Sequence, residues 1–444
     1  MYDPLTHSNI APNQGYPGSF WAADTQQRLN FPQFEGETET DVVVIGGGYT
    51  GLAAALELRQ KGVAVCLLEA NEIGWGCAGR NAGFALPGSG RLGYGALKKA
   101  YGEEDADEII KEFYAAPEEL KAFIEKHSLD VDYTQGGYLK IAHKQKFYQL
   151  FEQQYEELPE AYRKHLSLVS KEQLSSSLLD TNKQHGGLYN NSSFGINPLK
   201  MALAMAELVD KSGGTIFCNS PVLSYERNGP HYEVKTAKGL LRSKYIILAT
   251  NAYTPNKSLP ALHRIQFPVL SSVLVTQPLS DEQLELFKQP GLLCMDTRAL
   301  KYYYRLLPDN RLLFGGRGTI KGSNHDSQGI KNKLLGALKD SFPTLDNMQI
   351  DYYWSGWVSV SQDQIPHIGC FPDNPDVYYA MGYCGSGVAF THTAGKRLAQ
   401  LITAPEDVPE LPIYWRFPKP FPLAQFRRLG LWGYYQWQGL MDLA

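Results

Sequence analysis

The 444-residue chain has only six cysteines, Cys66, Cys77, Cys218, Cys294, Cys370 and Cys384, and no two form a CxxC pair. That excludes a zinc ribbon or a dithiol redox motif and fits reduced thiols in a cytoplasmic protein. None of its ten histidines stands in an HxxxH or HExxH arrangement, so no metal is expected. A basic tract is missing and the formal net charge is only −4, which gives no reason to expect nucleic acid. No apolar run reaches the ~20 residues that a membrane span needs. The first 19 residues have neither a basic n-region nor an apolar h-region and do not look like a secretory signal. No Ser/His/Asp or Cys/His constellation is apparent, so any chemistry is not expected to rest on an activated side-chain nucleophile.

What is present is a core of ordinary size, with 43% hydrophobic and 20% charged residues, long enough for two domains. Its most informative stretch is Val42-Val-Val-Ile-Gly-Gly-Gly-Tyr-Thr-Gly-Leu52: a short buried strand, a glycine turn and a helix start. Gly46 permits the tight turn, Gly48 lets backbone approach a pyrophosphate, and Gly51 lets helix and strand pack closely. Tyr49 and Thr50 open the helix, whose N-terminus favours negative charge. Glu69 ends the apolar run Val63–Leu68 at the position of a ribose-binding acid, with Ala70 beside it. Its charge would repel a 2′-phosphate, which argues for FAD or NAD over NADP.

Further along, Gly74–Gly90 is expected to be a loop. Leu97–Lys126 and Lys144–Gln173 have helical patterns, with strands around Gly136-Gly137 between them. Asn197 and Pro198 predict a helix start, and Gly213-Gly214 its end. A β-meander over 222–244 leads into the buried strand Tyr245–Thr250. Segments 267–276, 302–305, 311–316 and 351–357 are rich in β-formers and suggest an antiparallel sheet. A last strand, 376–381, runs into Gly382-Tyr-Cys-Gly-Ser-Gly387 and a helix over 388–402. The order implies an α/β fold of interleaved domains. Nucleotide-binding segments are expected at 36–95, 191–255 and 356–405, substrate-domain insertions at 96–190 and 256–355, and a tail at 406–444.

Four motifs now stand in order: the glycine turn, Gly74-Trp-Gly-Cys-Ala-Gly-Arg-Asn-Ala-Gly83, Leu248-Ala-Thr-Asn-Ala-Tyr253 and Gly382–Gly387. Together they resemble the D-amino-acid-oxidase-like (DAO) family of FAD-dependent amine oxidoreductases, and are most similar to its gamma-glutamylputrescine oxidoreductase type. The resemblance implies a Rossmann-like FAD-binding domain of the glutathione-reductase type 2 family, interleaved with an α+β substrate domain built on an antiparallel sheet. It implies that Gly76, Ala78 and Gly79 lie against the pyrophosphate and flavin ring, with Arg80 and Asn81 as donors; a loop-bracing role for Arg80 stays open. Val222 is implied to contact adenine, and Ala249 and Thr250 to pass the ADP half. Gly382, Ser386 and Val388 belong to the flavin-binding turn. Gly385 and Gly387 place a helix N-terminus against the flavin pyrimidine ring, where its dipole favours the charge that develops on reduction.

Two departures from the family pattern carry meaning. Covalent-flavin relatives have a cysteine near the segment matching Gly356–Asp363, which has none, so FAD is expected to be non-covalent. Those relatives also grip a substrate carboxylate with an arginine whose matching place falls near Gly83. Its absence favours an amine whose carboxylate is remote or missing. The expected reaction is hydride transfer from an amine to FAD, giving an imine that hydrolyses to an aldehyde, with gamma-glutamylputrescine or a related amine as substrate and oxygen or a quinone as acceptor. Trp354, Tyr304 and Arg305 are the candidate substrate-side residues, and Trp357 a candidate flavin contact. Tyr302 and Tyr304 share one strand face, Tyr303 and Arg305 the other. The sequence leaves open which face lines the pocket, and whether Arg305 binds a carboxylate or braces the fold. It also leaves open whether the protein is a monomer or homodimer, and whether the aromatic tail 417–443 packs on the protein or touches a membrane surface. A D-amino-acid dehydrogenase, a sarcosine-like secondary-amine oxidase and a flavin-binding subunit without turnover remain alternatives.

Overall fold

The computed structural model describes residues 1–26, 29–88, 91–256 and 259–443. Strands from three distant parts of the chain form the first sheet, in the order His367–Phe371, Asn374–Met381, Gly239–Leu248, Gly36–Ile45, Val65–Leu68, Thr215–Phe217. All neighbours on this path are parallel except the first pair. The central strands are buried on both faces, as their unbroken apolar runs require. A meander of Ser224–Asn228 and His231–Lys235 extends from Gly239–Leu248.

Two helices leave this sheet from the C-terminal ends of parallel strands. Tyr49–Gln60 follows Gly36–Ile45, and Gly387–Thr403 follows Asn374–Met381. They pack directly on each other at Gly395, where a Cβ would lie 2.4 Å from Ala53 Cβ and 2.8 Å from the Thr50 carbonyl. That close approach brings both N-termini to one place.

The second sheet is mainly antiparallel, in the order Ile350–Val360, Phe267–Pro278, Arg311–Arg317, Tyr303–Leu306, Leu293–Asp296, Tyr138–Ile141, Gly187–Asn190, Leu166–Val169. Its one parallel pair joins Leu293–Asp296 to Tyr138–Ile141. One face packs on the Gln328–Ser341 helix, with Leu139, Cys294, Tyr304 and Phe314 against Leu334 and Leu338. The other face turns toward the first sheet's helices.

Several expectations need correction. The helical reading of 144–173 fails in its second half, where Leu166–Val169 is an edge strand paired with Gly187–Asn190; sheet pairing overrides the helical spacing. The long helix from 97 is two, Tyr94–Tyr101 and Glu103–Lys126, separated by Gly102 at φ +92°. The break expected between 355 and 356 falls inside the continuous strand Ile350–Val360. Ser89 and Gly90, the end of the expected loop, lie outside the described residues. All six cysteines are free thiols. No helix among the described residues is long and apolar enough to cross a membrane. The aromatic tail is anchored, since Arg427 donates to the His263 and Gln266 carbonyls and Arg428 pairs with Asp3. Phe426, Leu429, Trp432 and Trp437 on that tail remain exposed.

Candidate active site

Two cavities meet between the sheets. The first runs along the C-terminal edge of the parallel strands, from Ile45, Leu68 and Val222 at one end to Tyr383, Gly387 and Val388 at the other. Gly46, Gly48, Tyr49 and Thr50 line its middle. Gly46 has φ +117°, and a Cβ there would press on the Ala249 carbonyl at 2.9 Å. A Cβ on Gly51 would sit 2.1 Å from the Gly46 carbonyl, so this glycine closes helix onto strand rather than lining the cavity. The Tyr49–Gln60 helix has no side-chain cap at Gly48, leaving its first N–H groups directed at the cavity.

Glu69 is 8% exposed and faces this cavity. Its Oε2 accepts from Gly47 N (2.7 Å) and its Oε1 from Asn71 N (3.0 Å). Burial raises its carboxyl above the usual carboxylate range, while those backbone donors act in the opposite direction. Each oxygen keeps a lone pair for a ligand hydroxyl. Ala70, Gly76, Ala78, Ala249 and Thr250 complete the wall. At the far end Gly385 turns at φ +100°, and the Gly387–Thr403 helix begins without a side-chain cap. Thr50 Oγ1 and Tyr383 OH share a 2.7 Å hydrogen bond that ties the two helix starts together. This donor set fits a dinucleotide: free N–H groups for a diphosphate, a carboxylate for a ribose, an apolar slot for a base, and a second helix end for a ring that gains negative charge.

The second cavity, of ≈ 380 Å³, shares Cys77, Asn81, Val358, Gly385 and Val388 with the first and lies over the open face of the second sheet. Phe84, Leu86, Tyr138, Met295 and Tyr303 supply apolar wall. Arg80, Arg91, Lys140, Lys301 and Arg317 supply positive charge, against a single carboxylate, Asp296. Asp296 is already held by Arg298 at 2.7 Å and by the N–H of Tyr302 at 3.0 Å. Burial and the neighbouring cations Lys140, Arg91 and Arg317 bring the Lys301 ammonium down to about 8. Burial also lowers Arg91, while Lys140 is exposed. The Cys77 thiol is pushed up to about 11 and the Tyr303 phenol to about 12, both chiefly by burial. Neither is a base or nucleophile near neutral pH.

Several residues expected at the site stand elsewhere. Tyr304 lies on the opposite face, stacked on Phe314 at 5.4 Å within the helix-covered core. Tyr303 holds the cavity face instead, its hydroxyl 2.8 Å from Ser271 Oγ. Arg305 shares the face of Tyr303 but lies one step beyond the cavity. There it donates from Nη2 to the Ile196 carbonyl at 2.7 Å and sits over the Trp21 ring. Trp354 is buried behind the wall and donates to the Arg80 carbonyl at 2.8 Å. Trp357 alternates away from Gly356 and Val358 and donates to the Tyr2 carbonyl. Arg80 reaches the second cavity, yet its Nε and Nη1 donate to the Trp75 and Ser355 carbonyls, so it braces as well as lines. Both donors of Asn81 are spent on the Cys77 and Ala78 carbonyls. Gly79 and Gly382 line neither cavity; a Cβ on Gly79 would lie 2.5 Å from the Gly74 carbonyl. Ser386 lines the second cavity only.

Sequence reasoning missed Arg91, Lys140, Lys301 and Arg317. A signal existed for Lys140, a charge inside the otherwise apolar strand Tyr138-Leu139-Lys140-Ile141 and in phase with Tyr138. Ile10 of the N-terminal segment, which lines the first cavity, gave none.

Comparison with known proteins finds relatives over most of the chain. The chain is 32% identical over 408 residues to gamma-glutamylputrescine oxidoreductase of Escherichia coli (strain K12), covering 92% of this chain and 93% of that one. It is 32% identical over 397 residues to the probable oxidoreductase OrdL of Haemophilus influenzae, covering 89% and 90%. In fold it resembles glycine oxidase from Geobacillus kaustophilus, with TM-score 0.69 at 17% identity over 85% of this chain and 98% of that one. Residues 41–401 match the DAO family, described as FAD dependent oxidoreductase, and with most of its length accounted for the chain belongs to that family.

Proposed function

We propose that this enzyme oxidises the terminal amine of a substrate whose carboxylate lies far from the reacting C–N bond, of the gamma-glutamylputrescine kind. The observation that carries this reading is the junction of the two cavities. The strand residue that meets both is Val358, an apolar side chain, while Lys140, Lys301 and Arg317 stand further along the second cavity. Bound FAD supplies the hydride acceptor. The protein binds and orients the amine against it. The apolar wall of Phe84, Leu86 and Tyr303 disfavours an ammonium, and so does the positive charge beyond it, so the amine is held neutral. The uncapped N-terminus of Gly387–Thr403 favours negative charge at the far end of the first cavity. The segment 356–363 offers no thiol, and Cys77 and Cys384, which line the second cavity, are kept protonated by burial. FAD is therefore held without a covalent bond, and acid precipitation should release it into solution.

A second reading, an oxidase of α-amino acids, has one observation in its favour: Arg80 lines the second cavity and retains one guanidinium nitrogen not used on the loop. An anaerobic amine panel read by loss of flavin absorbance separates the two. Bleaching by gamma-glutamylputrescine but not by D-amino acids or sarcosine is expected. The reverse order overturns the first reading, and no bleaching with any amine leaves only a flavin-binding subunit. The same panel run in air, with peroxide measured, separates oxygen from a quinone as acceptor.

A further inference from the structure

Lys140, Lys301 and Arg317 line the second cavity but not the first, so they stand apart from the dinucleotide cradle. Lys140, Lys301 and Arg317 donate no hydrogen bond to another group among the described residues, and the only carboxylate lining the cavity is committed to Arg298. Lys140 is exposed and Lys301 and Arg317 are half-buried; three like charges facing one cavity, beside a fourth on Arg91, repel one another until an anion joins them.

Their place in the sheet fixes where that anion sits. Lys140 is opposite Met295, Met295 opposite Tyr303, Tyr303 opposite Gly315, Gly315 opposite Val273, and Val273 opposite Trp354. Arg317 is opposite Ser271, which is opposite Gly356. Val358, two residues along that last strand, meets the first cavity. Strands lie about 4.8 Å apart, so the strand of Arg317 is about 10 Å from that of Val358 and the strand following Lys301 about 14 Å. The strand of Lys140 lies about 24 Å from that of Val358, so Lys140 stands at the far end of the same space, behind Arg317 and Lys301.

We propose that Lys301, Lys140 and Arg317, with Arg91 beside them, form a carboxylate subsite that selects substrates by the distance between their anionic group and the reacting C–N bond. The inference rests on the amine-oxidation reading above. A gamma-glutamyl diamine matches the spacing to Arg317 and Lys301, with Lys140 adding charge from behind. About nine bonds separate its reacting carbon from its carboxylate carbon, roughly 11 Å when extended. The aliphatic middle of such a molecule would cross the Ser271 and Val273 stretch of the wall. An α-amino acid, whose carboxylate is one bond from the reacting carbon, cannot reach the cations while its C–N bond is at the junction.

The test uses the FAD-loaded enzyme and Lys301→Met, Lys140→Met and the double variant. For gamma-glutamylputrescine, KM is expected to rise about 10-fold in each single variant and about 100-fold in the double, with kcat within about 3-fold. For N-acetylputrescine, which has no carboxylate, KM should move less than about 2-fold. Lys301→Arg should stay near wild type, which separates charge from packing and keeps the test valid if a methionine variant folds poorly. Glutarate binding, followed by thermal shift, gives a readout independent of turnover, and it should weaken in the same order. An unchanged KM for gamma-glutamylputrescine in a folded double variant overturns the subsite and leaves the proposed function standing. If no remote-carboxylate amine bleaches the flavin, yet glutarate binds and the variants weaken it, the proposed function fails and the anion subsite remains. Glutarate binding that is equal in wild type and double variant overturns the subsite in either case.

Discussion

Among single residues, Glu69 and Tyr304 are the sharpest tests. Glu69 offers its remaining lone pairs to the first cavity while holding Gly47 and Asn71. Glu69→Gln keeps one acceptor for those amides and loses the charge. A charged hydrogen bond is worth about 1.5–3 kcal/mol, so FAD should bind about 10- to 100-fold more weakly, measured by flavin loss on dilution. Full flavin retention would remove the ribose role from Glu69. Tyr304 makes the opposite point. Its place in an aromatic strand made it a candidate substrate contact with the face left open, but it lies in the helix-covered core with Phe314 and Phe342. Tyr304→Phe should leave kcat and KM unchanged and cost at most about 1 kcal/mol of stability in a denaturant titration. A selective rise in KM would return Tyr304 to the site.

Among elements, the decisive contact is the crossing of the two helices that begin at the first cavity. Gly395 allows it, with Ala53 Cβ and the Thr50 carbonyl closer than any added side chain tolerates. Gly395→Val should force the helices apart and cost about 1–3 kcal/mol from overpacking. Because both N-termini serve the same cavity, FAD retention should fall with it. A variant that lost stability but kept its flavin affinity would show that the crossing does not position the cradle. This half of the site was legible in the sequence because each part is local. A glycine turn, an acid after the next strand and a glycine-led helix each occupy a few consecutive residues. The cationic half was not legible in the same way. Arg91, Lys140, Lys301 and Arg317 come from four segments, and only the strand order of the second sheet brings them together. Which face of Tyr303–Leu306 is open was decided by the Gln328–Ser341 helix covering the other, a tertiary fact that alternation cannot carry.

Across the whole molecule, two buried histidines set the acid limit of the fold. His392 sits inside the Gly387–Thr403 helix against Phe123, 4.6 Å away, which makes it a packing residue rather than a flavin contact. Burial, with Lys396 and His127 nearby, holds its imidazole down at about 4. His263 is brought to about 4 by burial and by Arg427, the residue that anchors the C-terminal tail. Both rings are neutral in the folded protein at a pH where an unfolded histidine, titrating near 6.5, already binds a proton. The unfolded chain therefore gains protons first as pH falls, and the stability that neutral burial preserves above about 6.5 is lost toward pH 4. A gap of this size is worth up to about 3 kcal/mol for each ring. The expected outcome is a melting temperature that is level from pH 8 to about 6.5 and then declines steadily. His392→Phe, which fills the same space against Phe123 without a titrating ring, should flatten part of that decline while leaving the level region nearly in place. A melting temperature independent of pH between 6.5 and 4, or a decline that His392→Phe leaves untouched, would shift the acid sensitivity to the carboxylates of the surface ion pairs. In that case salt would reduce the pH dependence, whereas protonation of a buried imidazole is only weakly screened.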